Sequence, residues 1–86
     1  MDKNKNLYKT TNFYAAAFLY AKGLRLIGID RPLDSKKAYF IFEDSPERVG
    51  FLESFNFGEE SNPKVVVDAR KFIGAIKTLK DKLYQS

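Results

Sequence analysis

The sequence contains no cysteine, no histidine and no tryptophan. Without cysteine and histidine there is no thiolate nucleophile, no imidazole general base and no zinc site of the usual sulfur and nitrogen kind. Disulfide bonds are excluded as well, so the hydrophobic core alone must stabilise a chain of 86 residues. A metal ion would need oxygen ligands, and no segment has the spacing of an EF-hand loop. We therefore predict a protein that is not an enzyme and that holds no cofactor and no metal.

Long apolar segments and glycine-rich loops are also lacking. The longest nearly apolar run covers residues 13–21, whereas a transmembrane helix needs about 20 residues. The five glycines are scattered, so no phosphate-binding glycine loop is present. The acidic residues Glu43, Asp44 and Glu47 lie close together, but they are better explained as charges at a strand end and a helix start. We expect a cytoplasmic protein with no membrane contact, and no small-molecule substrate is evident.

Aromatic residues are abundant, with eight phenylalanines and five tyrosines among the 86 residues. Such rings build a core from few positions, and they also stack on nucleic-acid bases. The hydrophobic pattern predicts the element order α-β-β-α-β-α. The predicted elements are a helix over 12–22, strands over 24–29 and 38–43, a helix over 46–54, a strand over 64–67 and a helix that Asp68 caps. This order indicates an α+β fold, a small antiparallel sheet packed with helices.

Polar residues at the boundaries suggest where each predicted element begins and ends. Residues 1–9 are polar and basic and are predicted to form a flexible basic arm, followed by a single α+β domain over 10–86. Thr10 or Thr11 is expected to cap the first helix, and Gly23 to end it. Ser45 is expected to cap the second helix, with Pro46 in its first turn.

Two apolar surfaces exceed what a small monomer readily buries. The first helix is apolar on nearly all sides, and one face of the predicted sheet carries a largely apolar set of side chains. That set consists of Arg25, Ile27, Ile29, Tyr39 and Ile41. The sequence therefore predicts a homodimer, in which a second copy covers these surfaces.

The net charge of +4 is unevenly distributed along the chain. Residues 1–40 carry eight basic and three acidic side chains, residues 41–60 carry one and six, and residues 61–86 carry six and two. Two basic segments therefore flank an acidic one. Basic surface combined with aromatic rings favours contact with nucleic-acid phosphates and bases.

The candidate nucleic-acid contacts are cations of these basic segments together with one tyrosine of the second sheet face. They are Arg25, Lys36, Lys37, Tyr39, Arg70, Lys71 and Lys77. Two interpretations stay open. The chain is either a small non-catalytic binding protein for nucleic acid, or a protein–protein adaptor or homo-oligomeric structural subunit whose lysines serve only solubility.

Three segments resemble a family of small uncharacterised domains from bacterial and phage genomes, known only as a domain of unknown function. They are the capped helix over 11–23, the strand over 39–44 and the last helix from residue 67 to residue 84. The shared residues are apolar and capping residues, so the resemblance implies a fold and assigns no site. It also implies a prokaryotic or phage accessory protein.

Overall fold

The structure is a computed structural model that describes residues 6–33, 36–59 and 65–85. Three strands and three helices are present in these ranges. In chain order they are β1 (Leu7–Thr10), α1 (Phe13–Ala21), β2 (Leu26–Asp30), β3 (Tyr39–Glu43), α2 (Glu47–Phe57) and α3 (Ala69–Gln85). The strands form one sheet in the order β1-β3-β2, and both neighbouring pairs are antiparallel. The predicted α+β class with a small antiparallel sheet is confirmed.

The third strand comes from a different part of the chain than predicted. Residues 65–67 contain no strand, and β1 occupies the free side of β3 instead, so the elements follow the order β-α-β-β-α-α. Residues 1–5 of the predicted arm lie outside the described residues, but Leu7–Lys9 belong to β1 and are not an arm. Tyr8 and Thr10 alternate with more exposed neighbours, which is the period-two pattern of a strand at the edge of a sheet.

Helix α1 is capped by Asn12 and not by a threonine. The Asn12 side chain accepts a hydrogen bond from the backbone N–H of Ala15 at 3.1 Å. Thr10 lies before the cap, and its hydroxyl oxygen accepts a hydrogen bond from the Asn12 N–H at 3.1 Å. The helix ends as predicted at Gly23, whose φ is 105°. The N–H groups of Gly23 and Leu24 donate to the carbonyls of residues 20 and 19, which is the Schellman pattern, and Leu24 is buried.

The starts of the other two helices differ in how their N–H groups are satisfied. Pro46 occupies the N-cap position of α2 without a side-chain cap, so the prediction of a Ser45 cap is wrong. Asp68 caps α3 as predicted, because its Oδ1 accepts from the backbone N–H groups of Arg70 at 2.8 Å and Lys71 at 3.2 Å.

The hydrophobic core lies between the helices and one face of the sheet. Its buried members are Ala16, Ala17, Leu19, Leu24, Phe40, Phe42, Ala75 and Leu79. Helix α1 contacts both other helices and β1, which explains why it is apolar on nearly all sides. The apolar character of α1 is therefore largely accounted for within one chain.

A β-bulge between Leu26 and Gly28 changes the predicted faces of the sheet. One extra residue reverses the alternation, so Ile29 lies opposite the buried Phe40 and packs on the core. The prediction that Ile29 shares the outer face with Tyr39 and Ile41 is therefore wrong. Among the described residues, the helices pack on the face that carries Phe40 and Phe42. The opposite face is called the open sheet face below.

Candidate nucleic-acid interface

The outward side of α3 carries most of the exposed positive charge of this helix. Its inward side packs on the core through Phe72, Ala75 and Leu79. The predicted contacts Arg70, Lys71 and Lys77 are all exposed. Lys80 and Lys82 are exposed as well, and Asp81 is the only acidic residue of α3. The 17 residues of α3 span about 25 Å at 1.5 Å per residue.

Part of this surface forms a regular stripe. Its residues follow each other at intervals of three and four and lie within less than a quarter turn of the helix. They are Arg70, Ile73, Lys77, Lys80 and Tyr84. Ile73 is 53% exposed and Tyr84 83% exposed. Lys80 and Tyr84 were not among the predicted contacts, although the same spacing from Lys77 identifies them. The stripe therefore combines three cations with one aliphatic side chain and one ring.

Tyr39 and Arg25 lie on the other side of the molecule. Tyr39 is half-buried on the open sheet face, opposite Asp30 in the register of β2 and β3. The Arg25 side chain is 73% exposed, and its Nη1 lies 3.8 Å from Oε1 of Glu43. The strand register adds Lys9 to this face, so its described charges are two cations and two anions. The seven predicted contacts therefore do not form one surface.

Lys36 and Lys37 lie apart from both surfaces, just before β3. Both are exposed, and with Arg31 they line a cleft of about 460 Å³. The apolar part of its wall includes Phe13, Phe40 and Leu83. The structure thus distributes the predicted cations over three places: the outward side of α3, the open sheet face and this cleft.

A family model described as a domain of unknown function (DUF5659) matches residues 5–85. The chain belongs to the DUF5659 family. The comparison with curated proteins finds no match, and neither does the comparison with solved structures. The family match agrees with the resemblance of the helix and strand segments, and it carries no assignment of site residues.

The acidic cluster of this DUF5659 domain lines a second cleft, of about 450 Å³. Asp44 accepts two hydrogen bonds from Arg48, and these bonds hold the pKa of the Asp44 carboxyl below its ordinary value. Across the cleft, Lys22 Nζ donates to the carbonyl of Val66 at 2.6 Å. The same Nζ lies 5.6 Å from the centre of the Phe51 ring. Asp44 and Lys22 thus hold neighbouring segments of the domain together.

The residues that the structure describes contain neither a metal-binding cluster nor a membrane-spanning helix. No group of three or more acidic side chains in these ranges is arranged to hold a metal ion. No helix in them is both long and apolar enough to cross a lipid bilayer.

Proposed function

We propose that this chain is a non-catalytic protein that binds nucleic acid through the outward side of α3. The supporting observation is the charge of that helix, five cations against one acid on a helix whose other side is packed on the core. Cations spread along about 25 Å of one helix can contact several phosphates of a single backbone. A cytoplasmic location is part of the proposal, since nucleic acid is accessible there.

The proposal has a quantitative consequence for the salt dependence of binding. The logarithm of the affinity for duplex DNA falls with the logarithm of the salt concentration, with a slope of about −0.9 for each phosphate contact. If the three cations of the stripe contact phosphates, the slope is about −2.7. A rise from about 50 to 200 mM salt then weakens binding roughly 40-fold.

The test compares two double variants that each remove two positive charges. Arg70→Ala with Lys77→Ala alters the outward side of α3, whereas Lys9→Ala with Arg25→Ala alters the open sheet face. Fluorescence anisotropy with a labelled duplex is expected to show that the magnitude of the salt slope decreases by about 2 in the α3 variant and not in the other. A labelled single strand in a second titration establishes which form of nucleic acid is preferred. Equal losses in both variants would contradict the assignment to α3 and indicate an effect of net charge.

We also propose that the open sheet face is the surface of a homodimer. It presents four apolar side chains, of which Leu7 is 52% and Ile27 49% exposed, while Ile41 and Tyr39 are half-buried. The described charges of this face balance, so two copies can meet without net repulsion.

Light scattering during size-exclusion chromatography tests the dimer. The expected species has twice the chain mass of 9.9 kDa, and Ile41→Lys is expected to return it to one chain mass. Ile73→Lys on α3 is the control and should leave the mass unchanged. A wild-type protein of single chain mass at high concentration would refute the dimer and favour an adaptor that uses the same face for another protein.

A further inference from the structure

The cleft that contains Lys36 and Lys37 has the properties of a binding site for a small anionic ligand. It opens between the start of α1, the end of α3 and the segment before β3. Its volume of about 460 Å³ lies in the range of ligand sites, roughly 300–1,000 Å³. It is separate from the outward side of α3, so the inference does not depend on the proposed function.

The charge of the cleft is entirely positive among the described residues that line it. Arg31, Lys36 and Lys37 contribute three cations, and no aspartate or glutamate belongs to this lining. Arg31 is held in place, because its Nη2 donates to the carbonyl of Leu83 in the last turn of α3 at 3.2 Å. A guanidinium has five N–H donors, so this single bond orients the group and leaves other donors for a ligand. Such an arrangement suits a phosphate, which accepts several charge-assisted hydrogen bonds.

The remaining wall is apolar and includes one aromatic ring that is only half-buried, that of Phe13. The Phe13 ring is half-buried and meets the buried Phe40 ring nearly edge to face, with ring centres 5.8 Å apart. Leu83 lies on the same wall. A ligand that fills the cleft therefore needs an anionic end and a flat, weakly polar body. Inorganic phosphate and sugar phosphates lack the flat body, whereas a nucleoside monophosphate has both parts.

We propose that this cleft binds a nucleoside monophosphate, with its phosphate at Arg31 and Lys36 and its base against Phe13. The wall of Phe13 and Leu83 contributes by burying the base, and the two cations contribute by replacing water around the phosphate.

The test is an NMR titration of the ¹⁵N-labelled chain with AMP, adenosine and inorganic phosphate in parallel. AMP is expected to give saturable shifts at the amides of Phe13 and Ala38, with adenosine and phosphate each at least about tenfold weaker. Phosphate as effective as AMP would reduce the site to a simple anion site and overturn the proposal. Absence of saturable shifts up to millimolar AMP would overturn it as well.

Variants connect the binding to the named cations. Lys36→Ala and Arg31→Gln are each expected to weaken AMP binding about tenfold. Arg25→Ala, which removes an exposed cation from the opposite end of the sheet, is the control and should bind AMP normally. Thermal unfolding of Arg31→Gln verifies that loss of the bond to Leu83 leaves the fold intact. The Arg70→Ala and Lys77→Ala double variant should keep AMP binding, which separates this site from the nucleic-acid surface. Unchanged affinity in both cleft variants would refute the proposal.

Discussion

Replacing Arg48 with alanine is expected to lower the free energy of unfolding by about 1.5–2 kcal/mol. Arg48 joins α2 to the segment after β3, since its Nε and Nη2 donate to the two carboxylate oxygens of Asp44 at 2.9 and 3.0 Å. Both side chains are 22% exposed, so this pair is worth about 1 kcal/mol. The guanidinium carbon also lies 4.2 Å from the centre of the Tyr8 ring, which adds about 0.5–1 kcal/mol.

Urea and thermal unfolding measure this loss. For a chain of this size, a loss of 1 kcal/mol lowers Tm by about 4–8 °C, so the expected decrease is roughly 6–16 °C. A double-mutant cycle with Tyr8→Leu isolates the ring contact, because leucine retains the packing of Tyr8 on the core. Arg25→Ala is the control, since the 73% exposed Arg25 side chain reaches Glu43 only at 3.8 Å. An Arg48→Ala variant as stable as this control, or a coupling energy near zero, would refute the reasoning.

Three further predictions concern stability. The hydrogen bonds from Arg48 lower the pKa of Asp44 in the folded state. The ionised Asp44 therefore adds to the free energy of unfolding above the pKa of the unfolded chain, and this stabilisation is lost as pH falls through the folded pKa. In urea titrations at several pH values, Asp44→Asn is expected to lose less stability on acidification than the wild type. Leu79→Ala, at a fully buried position, is expected to lower the free energy of unfolding by about 2–5 kcal/mol. Ile73→Ala on the same helix should lower it by less than about 0.5 kcal/mol. Similar urea midpoints for the two variants would contradict the assignment of Leu79 to the core. Gly23→Ala should destabilise the protein by about 1 kcal/mol or more because the φ of Gly23 is 105°. Gly74→Ala should stabilise α3, because an added Cβ meets nothing within 4 Å there. A change of stability in the same direction for both variants would contradict this prediction.

The elements that the sequence predicted well are those with strong local signals. The amphipathic pattern and Asp68 located α3, and Gly23 located the end of α1 through its left-handed conformation. Strand β1 was missed because Lys9 and the polar residues before it resemble an arm, although Tyr8 and Thr10 already alternate inward. This segment is a strand because it pairs with β3, which is distant in the sequence. A four-residue segment carries too little pattern to predict such a pairing.

The candidate site shows the same division between local and long-range information. The exposure of Arg70, Lys71 and Lys77 followed from the helical period of α3. The separation of Tyr39 and Arg25 from these cations could not be predicted, because it depends on which face of the sheet α3 covers. The bulge that moves Ile29 into the core was also missed, although Gly28 lies at the register shift and a glycine inside a strand often marks a bulge.

The location of the charge decides which surface suits a polyanion. The whole chain has a net charge of +4, and α3 with five cations and one acid carries the same net charge by itself. The rest of the chain is therefore neutral in sum, and the described charges of the open sheet face balance as well. A nucleic-acid backbone gains little from a neutral face, whereas a second copy of the chain is repelled by a uniformly positive one. The two double variants test this division directly, because they remove equal charge from the two surfaces.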